Sequence, residues 1–359
     1  MDSNIDFTTS TADLLTMDLD TVELSALTPG EAVGVMLTVS EGTMEIDSWH
    51  TTYYADSAGE IHLVGLARMW NSYILSLRSL PGRHETQPLS EMNVLTVTIL
   101  VVPTNGNAVS CSRRLWYARR RTDLTVGALF NRFAVVRREK STFMDADERL
   151  SVLGSLSSTL GVTCTYLDGS GIEQVVERSL TVPSGTDWGW SVDVSPSVVA
   201  ALLPSGSRLK EYTVRLMGDT TTHFAERDAV RYVVEDRHFA HRSEFLYFNK
   251  YGAYESLWFL GAETLETERE AEYGYVGGQW HALDLDTVDT YEVSTGYGTD
   301  AMVDQVRDLS ESPLVWLLGT LGQWHRVTPT SVDISRRRPT NAARACSMKY
   351  RHADRDLRL

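Results

Sequence analysis

The feature that most constrains this chain of 359 residues is a recurring pattern: short alternating runs rich in Val, Ile, Thr and aromatic residues, cut by turn signals. Alternation with period two places successive side chains on opposite faces of an extended chain. Val35, Leu37 and Val39 alternate with small or polar neighbours, as a half-buried strand requires. Thr51–Ala55 and Glu60–Leu66 flank Asp56-Ser57-Ala58-Gly59, which predicts a hairpin. Asn93–Val102 and Val109–Arg119 flank Pro103-Thr104-Asn105-Gly106-Asn107, and Asn-Gly between two such runs is a strong hairpin signal. Val162–Leu167 and Ile172–Val182 are joined by Asp168-Gly169-Ser170-Gly171 in the same way. Trp188, Trp190, Val192 and Val194 alternate, and Leu209–Met217 and Ala229–Glu235 are further strands. Ser243–Asn249, Glu255–Gly261 and Glu263–Gly274 are predicted as consecutive antiparallel strands, the last facing water on at least one side. Leu314–Leu318, Gln323–Val327, Ser331–Ile334 and Ala343–Tyr350 complete the series.

Helical spacing is rarer. Ala67–Leu77 carries Trp70, Tyr73, Ile74 and Leu77 on one stripe. Ser195-Pro196 opens a turn over Ser197–Leu203, where proline sits at a permitted first-turn position. The clearest helix is 299–312, with Met302, Val303, Val306 and Leu309 together and Pro313 as its stop. Thr122–Phe133 and Ser141–Leu153 are read as short helices. Short strands with turn signals about every ten residues favour sandwiches or barrels over βαβ units. The expected fold is mainly β, with two or three β-sandwich or barrel-like domains and a few short helices. The divisions are a β-rich N-terminal domain over 1–150, a middle β domain over 151–236, and a C-terminal β domain over 237–359 containing the helix.

Charge is unevenly spread. The net charge is −15, which argues against nucleic acid as a partner, because phosphate neutralisation needs a basic face. Residues 1–67 hold twelve acids and no Lys or Arg. Residues 113–140 reverse this, with Arg113, Arg114, Arg119, Arg120, Arg121, Arg132, Arg137, Arg138 and Lys140 against Asp123 and Glu139. Residues 263–312 carry thirteen acids against Arg269 and Arg307, and residues 336–359 are basic again from Arg336, Arg337 and Arg338 onward. Of 33 basic residues 29 are Arg, the residue of planar interfacial ion pairing. These blocks are read as solvated faces or as complementary surfaces that meet across subunit contacts, with nucleic-acid contact by a basic block as a lesser alternative. On the second reading Arg113, Arg114, Arg119, Arg120, Arg121, Arg336, Arg337 and Arg338 form the assembly interface.

Chemistry is sparse by comparison. Cys111, Cys164 and Cys346 are far apart and odd in number, which fits neither a disulfide framework nor a spaced metal cluster. The start, MDSNIDFTTSTADLL, lacks the apolar segment of a secretory signal, and Val94–Val102 is too short to span a bilayer, so no membrane insertion is expected. Neither phosphate-binding glycine motif occurs, nor a G-x-S-x-G elbow. Asp284-Leu285-Asp286 and Asp289 begin like a calcium loop, but Asp289 and Thr295 stand where it needs Gly and Glu. His238 and His241 are read as surface or inter-strand residues, not ligands. The nine Trp residues are mostly core candidates, with a sugar-stacking platform as the sharper alternative. The reading is non-catalytic, with no cofactor and no metal.

A resemblance covers about residues 229–352. Phe245-Leu246-Tyr247-Phe248-Asn249-Lys250-Tyr251-Gly252, running into Ala253-Tyr254-Glu255-Ser256-Leu257-Trp258-Phe259 and Gly261, resembles the strand pair of tail and baseplate-region proteins of tailed bacteriophages and prophages of gut bacteria. Ser294-Thr295-Gly296-Tyr297, the acidic helix, Ser312-Pro313-Leu314-Val315-Trp316 and Trp324-His325-Arg326-Val327-Thr328-Pro329 follow in the same order, closed by Met348-Lys349-Tyr350-Arg351-His352-Ala353. Lys250, Ala253 and the basic run Arg336–Arg338 depart from the pattern, and residues 1–228 show no such resemblance. It implies a structural virion protein near the tail tip or baseplate, made in the host cytoplasm. Its partners are then copies of itself in a ring and other tail proteins. The alternative is a carbohydrate- or receptor-binding β module that stacks exposed Trp residues on sugars.

Overall fold

The computed structural model describes residues 14–41, 44–76, 80, 82–88, 94–104, 107–119, 129, 132–153, 159–182, 189–216, 228–334 and 344–353. The chain is mainly β, as its alternation predicts. Its first strands are β1 (Leu14–Leu15), β2 (Thr21–Leu24), β3 (Ala32–Glu41), β4 (Met44–Tyr54) and β5 (Ile61–Val64). Helix α1 (Leu66–Ser76), β6 (Gln87–Pro88), β7 (Val94–Pro103) and β8 (Val109–Trp116) follow. A five-stranded sheet runs in the order β1-β8-β7-β3-β4, and β2 pairs with β5 alone. Val33, Val35, Leu37 and Val39 of β3 face inward with Leu95, Val97, Ile99 and Val101 of β7, and Trp70 of α1 is packed among them. The Trp70 indole N–H donates to the Leu19 carbonyl at 3.2 Å, so its one polar atom is satisfied in the core.

The turn at Asp56–Gly59 forms as expected, with Asp56 Oδ1 accepting from the Ala58 and Glu60 N–H groups at 2.8 and 2.9 Å. The strands it joins do not pair with each other, which corrects the hairpin predicted there. β4 pairs with β3 and β5 pairs with β2, so the turn passes the chain between two sheets. The backbone bond from Leu27 N to Gly59 O holds it in that position.

The middle of the chain contributes β9 (Glu139–Thr142), β10 (Arg149–Leu153), β11 (Thr159–Leu167), β12 (Glu173–Thr181) and β13 (Gly189–Asp193). After these come α2 (Pro196–Ala200), β14 (Arg208–Leu216) and β15 (Ala229–Val234). Ser141–Leu153, expected as a helix, holds the end of β9 and the whole of β10 instead, joined by a turn over residues 143–148. β9 lies parallel to β15, whose Arg231 is 92 residues from its partner Glu139, and β10 pairs with β13. A partner that distant leaves no local signal, and tertiary pairing overrides the helical bias of the acidic run. Of the other expected helix, Thr122–Phe133, only residues 129, 132 and 133 are described. β11 and β12 form the hairpin read from Asp168–Gly171, in a sheet ordered β12-β11-β14-β15-β9. β6 joins β13 at Ser191↔Gln87, and β13 is buried along its whole length, so both of its faces are core.

The last region holds β16 (Ser243–Phe248), β17 (Tyr254–Phe259), β18 (Glu263–Val276), β19 (Gln279–Gly298), α3 (Asp300–Ser310), β20 (Val315–Leu318), β21 (Trp324–Ile334) and β22 (Arg344–His352). They form a seven-stranded sheet ordered β17-β16-β20-β21-β22-β19-β18. β16 and β17 pair as predicted, through a turn in which Asn249 Oδ1 accepts from the Tyr251 and Ala253 N–H groups at 3.0 and 3.1 Å and Gly252 takes a φ of +80°. β18 does not follow beside β17, contrary to the consecutive order expected; it pairs with β19 at the opposite margin. Residues 260–262 cross between the margins, tied by Gly261 N to Ser294 O at 2.8 Å.

β16 is the seam of the molecule. Leu246 and Phe248 pack into the core of the N-terminal sheet, while Phe245 and Tyr247 pack beneath α3 with Val303, Val306 and Leu309. Between these apolar layers lies a buried polar junction. The fully buried Glu255 carboxylate receives Val136 N–H at 2.9 Å, the Asn249 amide at 3.0 Å, the Gln305 amide at 3.1 Å and Lys140 Nζ at 3.1 Å. Four segments therefore converge on one charge, which offsets its desolvation. Arg119 adds a second tie, ion-pairing with Asp308 of α3 and donating to the Asp308 carbonyl at 2.9 Å. Burial pushes the Asp308 carboxyl up to about 6 although Arg119 pulls it down.

Candidate interaction surface

The ladder of β18 and β19 runs from Glu263↔Val293 to Val276↔Gln279. β22 pairs with β19 at Tyr291↔Tyr350 and over residues C-terminal to it, so the hairpin from Glu266 outward pairs only with itself among the described residues. At about 3.3 Å per residue this arm extends about 35 Å. Its sequence explains the geometry. Glu266, Glu268 and Glu272 alternate along β18 and are exposed, so that face stays in water. Lys349 reaches Glu266 at 3.2 Å and Arg351 reaches Glu268 at 3.8 Å, which braces the base of the arm on β22. Gly277 and Gly278, at φ +63° and +88°, make the tight two-residue turn at the far end.

The tip is apolar where the stem is charged. Tyr273, Tyr275, Val276 and Trp280 are 61, 63, 58 and 71% exposed. Tyr275 and Trp280 are directly opposite in the ladder, so they share a face, with ring centroids 5.4 Å apart in an edge-to-face arrangement. Large aromatic surface at the end of a polar stem is the composition of a contact surface rather than of a solvated loop.

No family model matches the chain. No curated protein matches it either. Among solved structures, it aligns with a tetra-tandem repeat in the extending region of a large adhesion protein, with 17% identity and a TM-score of 0.22 over 81% of this chain and 69% of that one. It also aligns with the periplasmic chaperone SfaE (10% identity, TM-score 0.19, 60% of this chain and 90% of that one). A Ca2+-stabilised adhesin with which an Antarctic bacterium binds ice gives 11% identity and a TM-score of 0.16, over 91% of this chain and 72% of that one. Scores at this level do not establish a common fold.

Of the residues expected at an assembly interface, Arg113, Arg114 and Arg119 are described. Arg114 is exposed on β8, and Arg113 beside it is half-buried, with Nη1 donating to the Ser112 carbonyl at 2.8 Å. Arg119 is turned inward to Asp308. Arg120, Arg121, Arg336, Arg337 and Arg338 lie outside the described residues. Of the Trp residues, Trp70, Trp116, Trp190, Trp258 and Trp316 are buried, Trp49 and Trp324 are half-buried, and Trp188 is outside the described residues. Trp280 is the exposed one among those described, and the sign that could have singled it out is its place beside Gly277-Gly278 at a hairpin end.

Asp284–Asp289 run within β19 in paired, extended backbone, so the segment that begins like a calcium loop is strand. His238 and His241 are exposed between β15 and β16. Among the described residues, two triplets bring possible metal ligands together: His84, Asp147 and Asp193, and Glu23, Glu60 and His62. In the first, Arg149 already pairs with Asp147 at 3.1 Å and the Ser195 N–H and hydroxyl both donate to Asp193. The second is half-buried to exposed at the β2–β5 edge. No helix among the described residues is long and apolar enough to cross a membrane.

Proposed function

We propose that this chain is a structural component of a phage tail, near the tail tip or baseplate, and that it assembles by laying the β18–β19 arm on a neighbouring copy of itself. The observation that carries the reading is the arm: an aromatic tip on an acidic stem, extended from a sheet margin that no other strand covers among the described residues. An isolated two-stranded ribbon is marginal in water, and contact along its length with a partner removes that weakness. The partner is a second copy because the same chain carries basic residues on β8, among them the exposed Arg114, to set against the acidic stem. A head-to-tail contact of this kind closes into a ring when its rotation divides a full turn. The order of motifs over residues 229–352 supplies the tail context, and the function on this reading is geometric, without catalysis.

The test is absolute mass by light scattering at low and high salt, for the parent chain and for the double variant Tyr275→Ser, Trp280→Ser. The expected result is a salt-sensitive oligomer in the parent and a monomer in the variant, with Arg113→Glu, Arg114→Glu also monomeric. A parent chain that stays monomeric under all conditions, while binding a glycan through Trp280, overturns this reading in favour of a carbohydrate-binding module. That second reading is favoured by one observation, the exposed Tyr275–Trp280 pair, which offers ring faces to a sugar.

A further inference from the structure

β2 and β5 form a two-stranded ladder whose inner residues, Val22, Leu24, Ile61 and Leu63, are buried in the N-terminal core. The period of two therefore turns Glu23 and His62 outward, and the register sets them directly opposite each other. Glu60 lies two positions before His62 and shares its side of the ladder. His62 Nε2 and Glu60 Oε2 are 3.3 Å apart, and one ligand atom from each of the three residues lies within 4.8 Å of the other two. The group is open to solvent, with Glu23 and Glu60 half-buried and His62 exposed.

The backbone that carries these side chains is pinned at both ends. Asp56 Oδ1 accepts from the Glu60 N–H at 2.9 Å, and the Gly59 carbonyl accepts from Leu27 N–H at 3.1 Å. Past the other end of β5, the Leu66 N–H donates to the Asp20 carbonyl at 3.1 Å and the Ala67 N–H to Asp20 Oδ1 at 3.0 Å. Side chains on a fixed ladder hold their mutual geometry better than side chains on a loop. The charge around them is one-sided. Residues 1–67 hold no Lys or Arg, and among the described residues neither carboxylate pairs with one. Two carboxylates therefore face a single imidazole, and what the group lacks is a cation.

We infer that Glu23, Glu60 and His62 bind a divalent transition-metal ion of the Zn2+ class, with water completing its coordination. Zn–N and Zn–O bonds of about 2.0–2.2 Å set the ligands of a tetrahedral ion about 3.3–3.6 Å apart. Glu60 and His62 already show that separation. An imidazole beside carboxylates suits such an ion better than Ca2+ or Mg2+, which take oxygen ligands throughout. The ion ties β2 to β5, and because Glu23 is distant from the other two in sequence, no ligand spacing along the chain reveals the site. The triplet of His84, Asp147 and Asp193 differs, since its carboxylates are buried and already held by Arg149 and Ser195. The inference is independent of the arm and of assembly.

Isothermal titration of the full chain, first stripped with a chelator, with Zn2+ and separately with Ca2+ tests it. Zn2+ is expected to bind in the micromolar range and to raise the midpoint of thermal unfolding, because an ion that binds the folded chain stabilises it. Ca2+ is expected to do neither. Loss of an outer-shell partner alone weakens metal sites about 10–100-fold, so removing a ligand by His62→Gln should cost at least about tenfold in affinity. Glu23→Gln removes the one ligand on β2 and should abolish the thermal shift. His84→Gln, which takes a ligand from the other triplet, should leave both readouts unchanged. His62 is exposed and its ring is not packed in a core, so His62→Gln folds and its result is readable. No heat with Zn2+, Zn2+ binding that His62→Gln leaves unchanged, binding lost in His84→Gln, or Ca2+ bound as well as Zn2+ overturns the proposal.

Discussion

The two margins of the seven-stranded sheet are built on opposite rules. At one margin every residue of β16 and β17 is buried, and both strands are rich in aromatic and aliphatic residues because each face meets a packed layer. At the other, β18 is exposed from Glu263 through Glu268 and again at Glu272, with acids in alternation and aromatic residues kept for the end. The same pleated geometry thus serves as a seam in one place and as a free arm in the other. What separates them is whether a second layer covers the outer face. Where it does, the buried carboxylate of Glu255 is held in a network drawn from several segments. Where it does not, charged residues dominate the strand, and the exposed aromatic residues gather at the tip.

The sharpest way to break this comparison is at the seam. Glu255→Ala leaves Lys140 buried without its counter-charge, and is expected to cost about 3–5 kcal/mol in denaturant-induced unfolding. A loss below about 1 kcal/mol would show that the junction is hydrated and not a seam at all. Next in size is a pH effect. The ordinary carboxyl value of Asp308 is 3.8 and its folded value is raised to about 6, so between those limits the folded chain holds more protons than the unfolded one. Stability should therefore fall as pH rises through that window and level off above it, by up to about 3 kcal/mol from this group. Asp308→Asn should remove that part of the slope, measured by unfolding at a series of pH values; an unchanged slope places the group in water. Glu148, raised chiefly by burial, contributes in the same direction and stays in the variant. The smallest effect belongs to the arm. Tyr275→Ser with Trp280→Ser should shift the unfolding free energy of the monomer by no more than about 0.5 kcal/mol, because neither ring is packed in a core. A larger loss would mean that the tip folds back on its own chain.

Much of this was legible in the sequence. The antiparallel pairing of β7 with β8, the hairpin at Asp168–Gly171, α1, and the helix ending before Pro313 are local features, carried by alternation, turn chemistry and amphipathic stripes. The errors share one cause. The turn at Asp56–Gly59 was readable, but nothing near it says that its two strands leave for different sheets. The parallel pairing of β9 with β15 and the passage of β18 to the far margin are likewise contacts between residues distant in sequence. Arg119 was visible as part of a basic block, yet only its position against α3 turns it from a surface charge into an internal tie.

The candidate surfaces divide along the same line. The alternating acids of β18 and the aromatic pair beside Gly277-Gly278 can be read from the residues, because a period of two and a glycine turn are properties of a short stretch of chain. The buried junction cannot. Val136, Lys140, Asn249 and Gln305 belong to segments that no spacing connects, and they meet at Glu255 only once those segments have closed around it. The sequence by itself determined which stretches would be strands and where charge would gather, since both follow from side chains a few residues apart. The tertiary structure alone decided which strands became neighbours and which polar atoms were cut off from water, because burial depends on the layers that pack above and below.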